Sequence, residues 1–225
     1  MQKSLRIPAL ILALLIVVWI TSCGKDDGGK IINDFIFNGT DYTIDGGVIY
    51  DYGAVNYVDI GDATHYNYDF IIYDGEADFQ AEVFNGSFVA YAELLSFGAD
   101  AFKSGVFTFI REPSLSNVDG QNYFQSVTIS VDGNGNQSIF QTTEDMQNDL
   151  IYVVVGGTIT VIDNGGNNFT LNYNAEVQQV DRENEELIPD TNQSIAFGVT
   201  LDFPIEDQQV SGGRVRNSKL FSRHK

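Results

Sequence analysis

The chain is predicted to be all-β, an antiparallel β-sandwich or up-and-down β-barrel of roughly ten to twelve strands. Three observations predict this. Apolar residues recur with a period of two, Gly-containing turn pairs fall between the periodic runs, and no strand-like run alternates with a helix-like one.

Taken along the chain, Tyr66, Tyr68, Phe70 and Ile72 line one face of an early strand, and Tyr123, Val127, Ile129 and Val131 line another. Phe169, Leu171, Tyr173, Ala175 and Val177 alternate with Thr170, Asn172, Asn174 and Glu176. Ile195, Phe197, Val199, Leu201 and Phe203 do the same against Ser194, Ala196, Gly198, Thr200 and Asp202. One apolar and one polar face marks antiparallel strands with one side in water. Two runs are apolar on both faces, Phe88 to Phe97 and Ile151 to Val155. These fit central strands, the first alternatively a short helix around Ala90 to Leu95.

The runs Thr158 to Ile162 and Phe169 to Val180 flank Asp163-Asn164-Gly165-Gly166-Asn167-Asn168, a hairpin signal. Asn38-Gly39, Asp45-Gly46-Gly47, Asp74-Gly75, Asn85-Gly86, Asp119-Gly120 and Asp132-Gly133 are further candidates for positive φ. Gln141 to Asp149 and Asp181 to Gln193 lack strand patterning and read as loops, the first with a helical turn at Thr143 to Met146.

The start of the chain has a different character. Lys3 and Arg6 precede a 14-residue apolar run, Ile7 to Ile20, broken only by Pro8. A hydrocarbon core needs about 20 residues, so the run is too short to span one. A basic start, a short apolar run and small residues before a cut describe a secretory signal instead. Ile20-Thr21-Ser22-Cys23 resembles the lipobox of bacterial lipoproteins. That resemblance implies acylation of Cys23, the chain's only cysteine.

Gly24 to Gly29 is polar and Gly-rich, a flexible tether. Its Lys25-Asp26-Asp27 resembles the signal that follows the lipidated cysteine in surface-exposed lipoproteins of the Bacteroidota. The pieces Asn38-Gly39-Thr40-Asp41-Tyr42 and Gly157-Thr158-Ile159-Thr160-Val161 resemble small all-β lipoproteins of the same group, and no functional residue is carried over from them. The expected organisation is a signal peptide at 1–22, a tether at 23–30, one all-β domain at 31–205 and a basic tail at 206–225. The implied location is the outer membrane, lipid-anchored and facing outward.

Charge narrows the function classes. The chain has 31 acidic and 12 basic residues, a net −19. Arg214, Arg216, Lys219, Arg223 and Lys225 crowd the C-terminal end, which leaves the body still more acidic. Such a field repels phosphate backbones, so nucleic acid is not an expected partner.

Catalytic motifs are scarce. The two histidines are His65, read as an exposed strand residue, and His224 in the tail. No clustered zinc ligand set, nucleophile elbow or phosphate loop is present. Asp132, Asn134 and Asn136 match the opening of a calcium loop, but Gln137 replaces the required glycine and Thr143 the bidentate glutamate. A plain hairpin turn is the competing reading of that segment. Eleven tyrosines lie between Tyr42 and Tyr173, and Tyr66, Tyr68 and Tyr73 are candidate sugar-stacking platforms.

The expectation is therefore a non-enzymatic, outer-membrane-anchored domain that binds or scaffolds a glycan, peptide or envelope partner, with calcium as the one candidate cofactor. Two alternatives remain open: a carboxylate-dependent polysaccharide hydrolase, and a barrel carrying a small apolar ligand.

Overall fold

The structure, a computed structural model, describes residues 33–56, 62–78, 83–132, 149–181, 184 and 186–209. About two thirds of these residues lie in strands, and helix is confined to one four-residue turn. Nine strands form one sheet in the order β12-β11-β10-β8-β9-β7-β4-β3-β13. In chain order these are β3 (Gly46–Val55), β4 (His65–Tyr73), β7 (Phe88–Phe97), β8 (Gly105–Phe109), β9 (Tyr123–Asp132), β10 (Asp149–Gly165), β11 (Asn168–Val180), β12 (Gln193–Asp202) and β13 (Ile205–Asp207). Two small hairpins, β1 (Asp34–Phe37) with β2 (Thr40–Thr43) and β5 (Glu76–Asp78) with β6 (Val83–Asn85), pair separately.

The two edge strands of the nine-stranded sheet, β12 and β13, are separated in sequence only by Phe203 and Pro204. So short a link can join opposite edges only if the sheet curls until those edges meet. The connection is fastened on both sides. Phe203 N–H donates to Asn167 O at 2.9 Å, and Ile49 N–H donates to Pro204 O at 2.9 Å. The Phe203 ring turns inward, 5.5 Å from Phe70 and 6.1 Å from Phe169. Gly47 leaves room for it, since a Cβ there would lie 2.4 Å from the ring.

The curl encloses one core. Phe70, Phe88, Phe107, Phe124, Ile159, Leu171 and Val199 are all buried in it. The alternation read in β11 and β12 is the burial pattern observed, so periodicity alone located the inner faces of these strands. The β1–β2 hairpin turns through Asn38 and Gly39, both at positive φ. Its Phe35 stacks on Phe197 at 4.3 Å, and Phe197 in turn stacks on Tyr173 at 4.5 Å. Asn33 ties the hairpin to the β12 edge, accepting from Thr200 N–H at 3.0 Å.

β7 is a strand over its whole length, paired with β4 and β9, and not a helix at Ala90 to Leu95. Both its faces are apolar because both are covered. Phe88, Ala90, Ala92 and Leu94 face the main core, while Val89 packs outside with Val48 and Ile71. Leu95 packs with Val118 and Tyr123 in a third cluster, beside the short helix α1 (Leu115–Val118).

Three further details depart from expectation. The sheet is mixed, because β8–β9 and β13–β3 pair in parallel. The β8–β9 case is permitted by the long connection through α1. Gly46 and Gly47 are not at positive φ. Gly46 and Gly47 instead let Tyr73 and Phe203 approach the backbone closely. The sheet also extends to Asp207, two residues past the expected end of the domain.

β10 changes partners along its length, pairing with β9 over Asp149 to Val153 and with β8 over Thr158 to Val161. The change falls at Gly156-Gly157, where its ladder with β11 also slips. Gly157 has φ +102°, and a Cβ there would meet Asn174 O at 2.4 Å. A Gly157→Ala variant combines backbone strain with a backbone clash and is expected to lose about 2 kcal/mol or more. Gly165→Ala, also at positive φ but facing open space, is expected to lose only about 1 kcal/mol. Denaturant midpoints of the two variants check the difference.

Candidate functional site

β4 carries the three tyrosines singled out by sequence, and its pleat divides them. Tyr66 and Tyr68 share one face at the end of the curl, with ring centroids 5.8 Å apart. Tyr73, an odd number of residues away, lies on the outer face with Val48, Ile71, Val89, Tyr50 and Tyr91. Its ring rests over Gly46, where a Cβ would come within 2.6 Å. Tyr73 is thus a packing residue and does not join the other two.

The Tyr66–Tyr68 pair extends into a ledge. Phe102, from the β7–β8 connection, stacks on Tyr68 at 4.4 Å and 9°, and on Phe107 at 5.5 Å and 7°. Tyr66, Tyr68 and Phe102 are all half-buried, so each presents part of its ring to solvent. Phe102 was not a sequence candidate, because it sits in an irregular segment between strands. Only the return of that segment over the end of the curl places it there.

The polar surroundings hold the ledge still. The Tyr66 hydroxyl donates to Asp51 Oδ2 at 3.1 Å and accepts from Gln209 Nε2 at 3.0 Å. Asp51 Oδ1 accepts from Gly53 N–H at 2.8 Å, at a bulge in β3. Burial pushes the Tyr68 hydroxyl up to about 12, with Asp51, Tyr66 and Asp163 adding to it. Tyr66 is raised as well, by burial first and then by Asp51. Both phenols are therefore neutral donors at physiological pH.

His65 is not the exposed residue that the sequence predicts. It is 1% exposed, set edge-on against Tyr123 at 5.0 Å and Phe97 at 5.7 Å. Its Nε2 lies 3.1 Å from Gln121 O and its Nδ1 lies 2.8 Å from Thr64 Oγ1. The carbonyl can only accept, so Nε2 carries the proton and Nδ1 accepts from the threonine hydroxyl. With both nitrogens engaged and the ring enclosed, His65 pins the β8–β9 connection to β4 and is not placed to act as a base.

A second cluster lies on the outer face, across β4 and β7. Asp69 and Glu93 are direct cross-strand partners and are only 5% and 7% exposed. Asp69 Oδ2 accepts from the Tyr91 hydroxyl at 2.6 Å, and Asp69 Oδ1 accepts from Asn67 Nδ2 at 2.8 Å. The sequence signal for this cluster was a charge, Glu93, inside a run that is apolar on both faces.

Other sequence candidates lie where little can be said of them. Asp132 ends β9, while Asn134, Asn136 and Cys23 lie outside the described residues. Among the described residues, no three His, Cys, Asp or Glu side chains gather as a metal centre. No described helix is long and apolar enough to cross a membrane. Compared with family models, with curated proteins and with solved structures, the chain matches none.

Burial lowers the pKa of His65 below its ordinary 6.5, against smaller opposing contributions from the Gln121 and Val118 carbonyls and Asp119. The unfolded chain then takes up this proton more readily than the folded one. The stability this histidine contributes is present above pH about 6.5 and is lost as pH falls from there toward the folded pKa. A His65→Gln variant is expected to show a flatter melting-temperature profile between pH about 7 and 5. An equal slope in both proteins would contradict this account.

Proposed function

We propose that this chain is a lipid-anchored, extracytoplasmic binding domain of the outer membrane, without catalytic activity, whose ligand is a glycan held on the Tyr66–Tyr68–Phe102 ledge. The observation that carries this reading is a row of three half-buried aromatic residues at one end of the curl, Tyr66 against Tyr68 and Tyr68 against Phe102. Aromatic faces suit the apolar C–H faces of sugar rings, and phenol hydroxyls supply the polar contact at the edge. The hydroxyl of Tyr66 is held from two sides, so little ordering remains to be done on binding.

Charge selects within glycans. Asp51, Asp163 and Asp207 stand around the ledge, and the whole body is acidic. Neutral sugars are favoured over uronic acids and sulfated chains. Asp51 spends its oxygens on Gly53 and Tyr66, a role in holding the ring that favours binding over hydrolysis. The interior favours binding over carriage of an apolar ligand, since Phe35, Phe70, Phe107, Phe169, Phe197 and Phe203 fill the curl with their own rings.

The binding reading predicts that Tyr66→Ala lowers affinity for a neutral oligosaccharide about tenfold, close to 1.4 kcal/mol. Tyr66→Phe, which keeps the ring, should lose less. Calorimetry against neutral and acidic oligosaccharides measures both, and identical affinities in all three proteins would overturn the ledge as the site. The anchor predicts that Cys23→Ser abolishes incorporation of labelled palmitate and releases the chain from the membrane fraction. Retention of label in that variant would overturn it.

A further inference from the structure

We propose that the open edge of β12 is a strand-addition site, at which an extended, basic segment of a partner protein pairs with Ser194, Ala196 and Gly198. The site is separate from the aromatic ledge, which is built on β4 and the β7–β8 connection. The closure at Phe203 and Pro204 fastens only the far end of β12 to β3, and toward Ser194 the edge runs on unpaired.

Successive residues of an edge strand aim their N–H and C=O groups alternately at the neighbouring strand and away from it. Two sets of bonds fix the parity in β12. Phe203 N–H reaches Asn167 O, on the β11 side, whereas Thr200 N–H donates to Asn33 Oδ1 at 3.0 Å and Thr200 O accepts from Asn33 Nδ2 at 3.4 Å. Odd positions therefore face β11, and Ser194, Ala196, Gly198 and Thr200 face outward. The backbone groups of Ser194, Ala196 and Gly198 have no partner among the described residues, and all three residues are exposed.

Asn33 shows what this edge accepts. Its amide gives Thr200 the donor and the acceptor that one residue of an antiparallel strand would give. Elsewhere the β1–β2 hairpin meets β12 from the inner face, through the Phe35 ring on Phe197, and no backbone hydrogen bond joins the two. The next three rungs are left to another chain. Edges of this length are ordinarily blunted by charge, proline, a bulge or cover. β12 has no charge and no proline from Gln193 to Leu201, and its ladder with β11 runs without a slip. The opposite edge, β13, is only three residues long and carries Glu206 and Asp207.

Charge indicates the partner. On the outer face Ser194 stands directly beside the exposed Glu176 of β11, and Ala196 stands beside Asn174. A residue added opposite Ser194 lies two strands, about 10 Å, from Glu176. Only the small Ser194 side chain intervenes, so a lysine or arginine there reaches the carboxylate. A second copy would bring the same net −19 and be repelled, whereas a basic segment is drawn in by that field. Main-chain bonds would supply the affinity and alternate side chains the selection.

The test is residue-resolved amide hydrogen exchange on the full-length chain, alone and with the end-blocked peptide Lys-Val-Thr-Val-Lys. Alone, the amides of Ser194, Ala196 and Gly198 should exchange at least about tenfold faster than those of Ile195, Phe197 and Thr200. Saturating peptide should slow the first three by about tenfold or more and leave the others unchanged. Methylating the Lys and Thr nitrogens of the peptide should abolish binding, and replacing its Lys by Glu should weaken it several-fold. Ala196→Pro, which removes one outward N–H at an edge that tolerates proline, should weaken binding about tenfold. Should that variant fail to fold, the methylated peptide decides, and equal binding of methylated and unmethylated peptides overturns the proposal. Absence of protection by the peptide overturns it, as does equal binding of the Glu peptide. Slow exchange at Ser194, Ala196 and Gly198 in the chain alone also overturns it. The edge then already has an occupant, a second copy if dilution restores exchange and this same chain if it does not.

Discussion

The two-residue link between β12 and β13 is the constraint on which the rest of this structure depends. Phe203 and Pro204 carry the chain from one edge of a nine-stranded sheet to the other, so the sheet cannot lie open. Phe203 supplies an inward ring and a backbone donor, and Pro204 supplies the carbonyl that Ile49 needs. Closing the edges turns one face of every long strand inward, which makes a single aromatic core possible. It also removes much of the exposed edge that a sheet of this size would otherwise present to other chains.

The interior is organised by aromatic stacks. Phe35, Phe197 and Tyr173 form one, Tyr68, Phe102 and Phe107 another. The first anchors the β1–β2 hairpin and is buried to its end. The second runs from the core to solvent, so the ring that packs the interior and the ring that reaches the surface belong to one column. Phe102 is therefore tied to the core packing, whereas Tyr66, held by Asp51 and Gln209, can be changed with less consequence for the core.

Much of the fold was legible. The alternation of β11 and β12, the hairpin turn at Asp163 to Asn168 and the doubly apolar run of β7 all correspond to observed features. Period-two patterning reports a strand's own two faces, and those faces are what the structure uses. The site was legible only in part. Tyr66 and Tyr68 share a face because their spacing is even, and Tyr73 falls opposite because its spacing is odd. That division follows from parity and could have been drawn from the chain alone. The burial of His65 could not, since it depends on Gln121, 56 residues away. Nor could the place of Phe102, which no periodicity governs.

The sequence by itself determined that this protein is β-structured and acid-rich, with turns at Asn38-Gly39 and Asp163 to Asn168. Those properties belong to short stretches of chain and to composition. Only the tertiary structure decided how the sheet closes and which carboxylates come to face each other, buried, on its outer face. It also decided that the loop at Phe102 completes the aromatic ledge. Each of these depends on strands distant in sequence becoming neighbours, and a strand's periodicity records which way its side chains point, not which strand lies beside it.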